Sequence, residues 1–374
     1  MKGGRVFVGL LVFLLQFVSL KSENPGPSVS AIYSFGDSLS DSGNNNLLNI
    51  DPKQAKANYK PYGVDLPNGP TGRFTNGKTF VDVVAEKLRL PHAPAFLSLG
   101  KEEREKIVTG LNYASGSAGI LIETGSAFGE CVPFDRQIDH FQRTVEEVLP
   151  VNFHSKQELQ CHLAKSVIVV AIGSNDLLNN WIQNEPEYHR SKNYPLIKDY
   201  IKLLIDTLQG QIQRIYNLGG RRFLMFGLGP LGCIPIVTHR GAPCKESWNQ
   251  LALEFNNQLA QLVDRFQSKL EGSSFALGLG YNLTLDLHLN PSRYGFKSVN
   301  QPCCTVSSSE PALCIPGTEP CRNRDDHLYY DMFHCTSKAA EIIVSRCFDA
   351  GSSICAPTAI LKLTNKEEEK CRHL

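Results

Sequence analysis

Four short runs of apolar, β-branched or aromatic residues, each beside a glycine, punctuate the chain at residues 29–35, 166–172, 223–228 and 275–281. Between them lie longer stretches, residues 79–90, 137–149, 194–216 and 246–270, in which apolar residues recur at three- and four-residue intervals. Strands separated by helices cannot close as hairpins; each must return by a right-handed crossover to lie parallel to its predecessor. The pattern therefore predicts an α/β fold, a three-layer α/β/α sandwich with a central parallel sheet and its functional loops at the carboxyl edge. A last helix is expected at 337–348, where Ala339, Ala340, Ile342, Ile343 and Val344 form an apolar stripe.

At 374 residues with 42% hydrophobic content the chain can bury one large core, and no linker, repeat or low-complexity stretch divides it. Lys and Arg total 38 against 37 for Asp and Glu, so a net charge of +1 gives no electrostatic basis for binding nucleic acid. Residues 1–22 combine Lys2 and Arg5 with an apolar stretch from Val6 to Leu20 and the small Ser22, the layout of a signal peptide cleaved near Ser22. That stretch, interrupted by Gln16 and Ser19, falls short of the roughly 20 apolar residues of a membrane helix. The expected organisation is a leader at 1–22, one domain at 23–357 and a charged tail at 358–374, secreted, monomeric and without a membrane span. Twelve cysteines fit an oxidising destination. Cys303, Cys304, Cys314 and Cys321 cluster in a Pro/Ser/Gly-rich segment, and Cys233 and Cys244 bracket another loop. With no Cys-x-x-Cys or His-Glu-x-x-His pattern, disulfides are expected and a metal is not. Asn282-Leu283-Thr284 is the one glycosylation sequon, at Asn282.

The first strand ends in Gly36-Asp37-Ser38-Leu39-Ser40-Asp41-Ser42-Gly43-Asn44-Asn45, which delivers Ser38 to an exposed turn at the carboxyl edge. Such residues also make ordinary turns. A reactive serine further needs a base for its proton and donors for an oxyanion. Asp331 and His334, three apart before the last helix, can supply a base and the carboxylate that orients it. Of the ten histidines, His327, after Asp325-Asp326, is the rival for that role. Donors are offered by the small-residue turn Asn112-Tyr113-Ala114-Ser115-Gly116-Ser117-Ala118-Gly119 and by Gly173-Ser174-Asn175-Asp176, where Asn175 presents an amide at the sheet edge.

These four segments, in this order, resemble the blocks of the GDSL lipases and esterases, a branch of the SGNH hydrolase superfamily. The resemblance extends through Pro61-Tyr62-Gly63, Gly69-Pro70-Thr71-Gly72-Arg73-Phe74, Asn76-Gly77-Lys78-Thr79, Gly229-Pro230-Leu231-Gly232-Cys233 and Asn290-Pro291 to the plant secreted subgroup. It implies a flavodoxin-like SGNH fold and a serine ester hydrolase without a cofactor. Ser38 would be the nucleophile, His334 the base and Asp331 its orienter. The Ser38 and Gly116 N–H groups with the Asn175 amide would hold the oxyanion. One departure stands out: the subgroup has proline after the histidine, and here Cys335 takes that place, where a disulfide is expected to stiffen the start of the helix. The substrate, small or polymer-bound, stays open among lipid acyl esters, polysaccharide or metabolite acetyl esters and acyl transfer. Residues 177–182, with Trp181, are candidates to line an acyl cleft. A silent binding protein on the same scaffold is the alternative outside enzymes.

Overall fold

The computed structural model describes residues 29–50, 55–182, 196–307, 313–349 and 355–357. The expected leader at 1–22 and tail at 358–374 lie outside the described residues. Four parallel strands form the sheet: β1 (Ile32–Gly36), β2 (Val167–Ala171), β3 (Arg222–Phe226) and β4 (Ser274–Gly278), in that spatial order. Thr109 to Ser115 runs along the free side of β1. There Ile32 and Ser34 donate to the Thr109 and Leu111 carbonyls, while Tyr113 and Ser115 donate to those of Ser34 and Gly36. Counting that segment, the order becomes the 2-1-3-4-5 of flavodoxin-like sheets.

Period-two alternation decides the two faces. Tyr33, Phe35, Ile168, Val170, Phe223, Met225, Phe275 and Leu277 enter the larger core, which is covered by α2 (Phe134–Arg143), α4 (Ile197–Asn217) and α5 (Glu246–Lys269). Ile32, Val167, Val169, Leu224 and Ala276 face the other way, onto α1 (Phe80–Lys87) and α7 (Ser337–Phe348). Both of these helices start on a threonine cap. Thr79 forms a capping box with Asp82, and Thr336 accepts the Ala339 N–H.

Three elements depart from the sequence pattern. Lys156–Lys165 forms a helix, α3. The run read as a strand to residue 281 stops at Gly278, and Gly280–Leu289 is a helix, α6. Leu283, Leu285, Leu287 and Leu289 alternate as in a strand, yet helical geometry buries Tyr281, Leu283, Thr284 and Leu287 together, and that packing prevails. A three-residue strand, β5 (Cys355–Pro357), adds antiparallel to β4.

Register positions the chemistry. Gly36 pairs with Ala171, Ala171 with Phe226 and Phe226 with Gly278, so the four strands end level and the loops that follow lie side by side. Disulfides Cys233–Cys244, Cys303–Cys321 and Cys304–Cys314 staple the loops, and Cys347–Cys355 ties β5 to α7. Closing loops of this size contributes about 3 kcal/mol each by restricting the unfolded chain.

Candidate active site

Gly36 makes the turn after β1 possible. Its φ is 147°, and a Cβ there would stand 2.2 Å from the Ala171 carbonyl oxygen. The buried Gln137 holds both sides of this glycine, accepting its N–H at 2.9 Å and donating to its carbonyl at 2.8 Å. Asp37 then folds the chain over, its carboxylate accepting the Leu39 N–H and its carbonyl those of Ser40 and Asp41. Ser38 is left half-buried on the rim of a cleft of about 200 Å³.

Asp331 and His334 arrive from the other end of the chain. Asp331 Oδ1 accepts the N–H groups of Phe333 and His334, both at 2.8 Å, and this tight turn brings the imidazole back over the carboxylate. His334 Nδ1 lies 2.7 Å from Oδ2 and 2.9 Å from Oδ1, and Nε2 lies 2.8 Å from Ser38 Oγ. At 0% and 7% exposed, Asp331 and His334 interact away from water, where such bonds are strong. Tyr62, fully buried, donates to Asp331 Oδ2 at 2.6 Å and accepts the Cys314 N–H at 3.2 Å. The Cys304–Cys314 loop is thereby tied to the carboxylate. In the sequence Tyr62 is one residue of the Pro61-Tyr62-Gly63 motif; 269 residues separate it from Asp331, and no local pattern announces the contact. His327, the rival base, bonds the Gln301 carbonyl instead.

The donor segments are held by buried acids. Asp41 accepts the Gly43, Asn44, Asn45 and Gly116 N–H groups, and Asp176 accepts those of Ile120 and Leu121 and the Thr124 hydroxyl. Burial pushes both carboxyls up to about 6, and Asp37 to about 7. Asn175 lines the cleft, its amide donating to the Ala118 carbonyl at 3.0 Å, and among the described residues no acceptor meets its second amide hydrogen.

Gly116 does not reach it. Its N–H is donated to Asp41 Oδ2 at 3.1 Å, and a Cβ on it would strike Asn45 and Phe74, so this glycine serves close packing rather than an oxyanion. The neighbouring Ser117 lines the cleft, with the left-handed φ of 66° that side-chain-bearing residues rarely adopt. Among the described residues no acceptor meets the N–H of either Ser117 or Ser38. Arg73 braces the same turn from behind, paired through two nitrogens with Asp82 and donating to the Ser42 carbonyl, while Phe74 packs on His334 with ring centroids 5.1 Å apart.

Among known proteins, the GDSL-like lipase/acylhydrolase family matches residues 32–347. The chain belongs to that family. GDSL esterase/lipase 7 of Arabidopsis thaliana is 39% identical over 366 residues, covering 95% of this chain and 98% of its own. A second Arabidopsis thaliana GDSL esterase/lipase is 37% identical over 364 residues, covering 94% and 92%. Among solved structures, a lipase from a goat rumen metagenome shows 12% identity and a TM-score of 0.37, covering 85% of this chain and 95% of that one. As a GDSL-family member the chain is a carboxylic ester hydrolase.

The departure at Cys335 resolves differently from the expectation. Cys335 is a free thiol, as is Cys131, and the later Cys347 pairs with Cys355. The turn is stiffened by hydrogen bonds instead: Tyr330 N–H to the His334 carbonyl, the Thr75 hydroxyl to the Cys335 carbonyl and Thr336 N–H to the Leu328 carbonyl. Burial, reinforced by the Asp331 charge, pushes the Cys335 thiol up to about 12. The thiolate, which is the reactive form, is therefore scarce near neutral pH. Iodoacetamide is expected to leave Cys335 unmodified in the native protein over minutes and to label Cys131 and Cys335 once the unreduced protein is denatured. A Cys335 still blocked after denaturation contradicts the free thiol.

Proposed function

We propose that the chain is a secreted serine hydrolase that cleaves carboxylic esters through an acyl-enzyme on Ser38. The observation that carries this reading is the 2.8 Å contact between Ser38 Oγ and His334 Nε2, with Nδ1 of the same ring on Asp331. His334 takes the hydroxyl proton as Ser38 Oγ bonds the ester carbonyl carbon. Asp331 keeps the proton on Nδ1, so that Nε2 is the accepting nitrogen, and steadies the imidazolium that forms. The oxyanion meets the Ser38 and Ser117 N–H groups and the free hydrogen of the Asn175 amide. As the tetrahedral adduct collapses, the carbonyl–alkoxy bond breaks and His334 returns its proton to the departing alcohol. Water then enters by the same steps in reverse, releasing the acid and restoring Ser38.

Secretion is supported by residues 1–22 and by the disulfides, which persist in oxidising compartments. Asn282 is exposed on α6, where a glycan has room. The oxyanion assignment has its own test. Asn175→Ala is expected to lower kcat on p-nitrophenyl esters by about 10²- to 10³-fold with little change in KM, because the amide acts on charge that exists only in the transition state. Unchanged kcat in a folded variant contradicts it.

A further inference from the structure

The cleft does not end at Ser38. From Ser38 and His334 it continues past Ile172 and Leu228, beyond the ends of β2 and β3, to Gly229, to Gly280 and Thr284 of α6 and to Ile343 of α7. Apart from Thr284, the polar side chains of its lining gather at the near end, on the loops that carry Ser38, Asn175 and His334. At the far end the wall includes Thr284 and Ile343, 7% and 5% exposed, which turn their Cγ2 methyls toward Gly229 and Gly280.

Two glycines keep this far end open. A Cβ on Gly229 would meet only Thr284 Cγ2, at 3.9 Å, and one on Gly280 only Ile343 Cγ2, at 3.6 Å. Neither has the left-handed backbone that would demand glycine, in contrast to Gly36. Nothing in the fold needs them bare, and what their missing side chains leave is cleft volume.

Two parts of an ester must be accommodated, and they differ in what they require. The alcohol leaves with a proton from His334 and must escape to solvent before water can enter. A buried, largely apolar branch suits the acyl part, which stays fixed to Ser38 between the two half-reactions. Sugar hydroxyls there would lose water without finding partners, at a cost of a few kcal/mol each, whereas each methylene gains about 0.8 kcal/mol on burial. An acetyl group would leave the branch unfilled.

We propose that this branch is the acyl subsite, that it selects esters of aliphatic acids well beyond acetyl, and that Gly229 and Gly280 set how long a chain it takes. The proposal rests on Ser38 as the nucleophile. It is tested on the purified protein with p-nitrophenyl acetate, butyrate and octanoate, alongside labelling by a small fluorophosphonate. For the wild type, kcat/KM is expected to rise by up to about fourfold per methylene, and at least about a hundredfold from acetate to octanoate. Gly280→Leu and Gly229→Val, each filling the branch, are expected to cut the octanoate-to-acetate ratio at least about tenfold while the fluorophosphonate still labels Ser38. A flat or falling wild-type profile overturns the proposal, as does an unchanged ratio in both variants; if one variant fails to label, the other and the wild-type profile decide. Absence of Ser38 labelling in the active wild type would instead overturn the nucleophile assignment.

Discussion

Replacing Ser38 by alanine is expected to lower kcat/KM on p-nitrophenyl esters by about 10⁴- to 10⁶-fold, with the unfolding temperature nearly unchanged. The size of the loss follows from what the hydroxyl does. Without Oγ no acyl-enzyme can form, and what remains is whatever the cleft and its donors contribute to direct attack by water. The stability forecast follows from the turn. Gly36, Asp37 and Asp41 shape it through their own backbone and carboxylates, and the single bond that Ser38 makes to His334 lies at the edge of the cleft. Residual turnover within tenfold of the wild type would place the nucleophile elsewhere.

Asp331→Asn is expected to cost about 10⁴-fold in kcat, for a reason visible in its four donors. Oδ1 accepts two backbone N–H groups, and Oδ2 accepts the Tyr62 hydroxyl and the proton on His334 Nδ1. An amide has one acceptor oxygen. If that oxygen keeps the backbone pair, the NH₂ group faces Nδ1, which must then be the unprotonated nitrogen. Nε2 would carry the hydrogen and could not accept one from Ser38. If the oxygen turns the other way, the NH₂ opposes two buried backbone donors and the turn itself is strained. Either way the variant separates positioning from nucleophilicity, because Ser38 is intact. A loss of less than about tenfold would mean that His334 does not depend on Asp331 for its tautomer.

What the residues revealed in advance depended on how local each feature is. Ser38, Asn175, Asp331 and His334 sit on short motifs at strand ends or before a helix, and the strand–helix alternation already placed the two strand ends, those before Ser38 and Asn175, on one edge. The direction of a backbone N–H is not local in that sense. Whether Gly116 or Ser117 faces the cleft turns on Asp41, which claims the Gly116 N–H across 75 residues, and on a positive φ at a serine that its side chain does not advertise. Tyr62 was hidden for the same reason. At Cys335 the expectation fails because twelve cysteines invite full pairing, whereas the Cys347–Cys355 link takes the nearest downstream candidate. Helix α6 was concealed by an alternating run of leucines whose burial the rest of the fold decides, and with it went the far wall of the cleft.

The measurement that bears most directly on the whole account is peptide mapping after reaction of the native enzyme with a fluorophosphonate. The site described above predicts stoichiometric loss of esterase activity with the adduct on the peptide that contains Ser38, and no adduct in Ser38→Ala. Inactivation with the adduct on another residue, or full activity retained after Ser38 is modified, would contradict it.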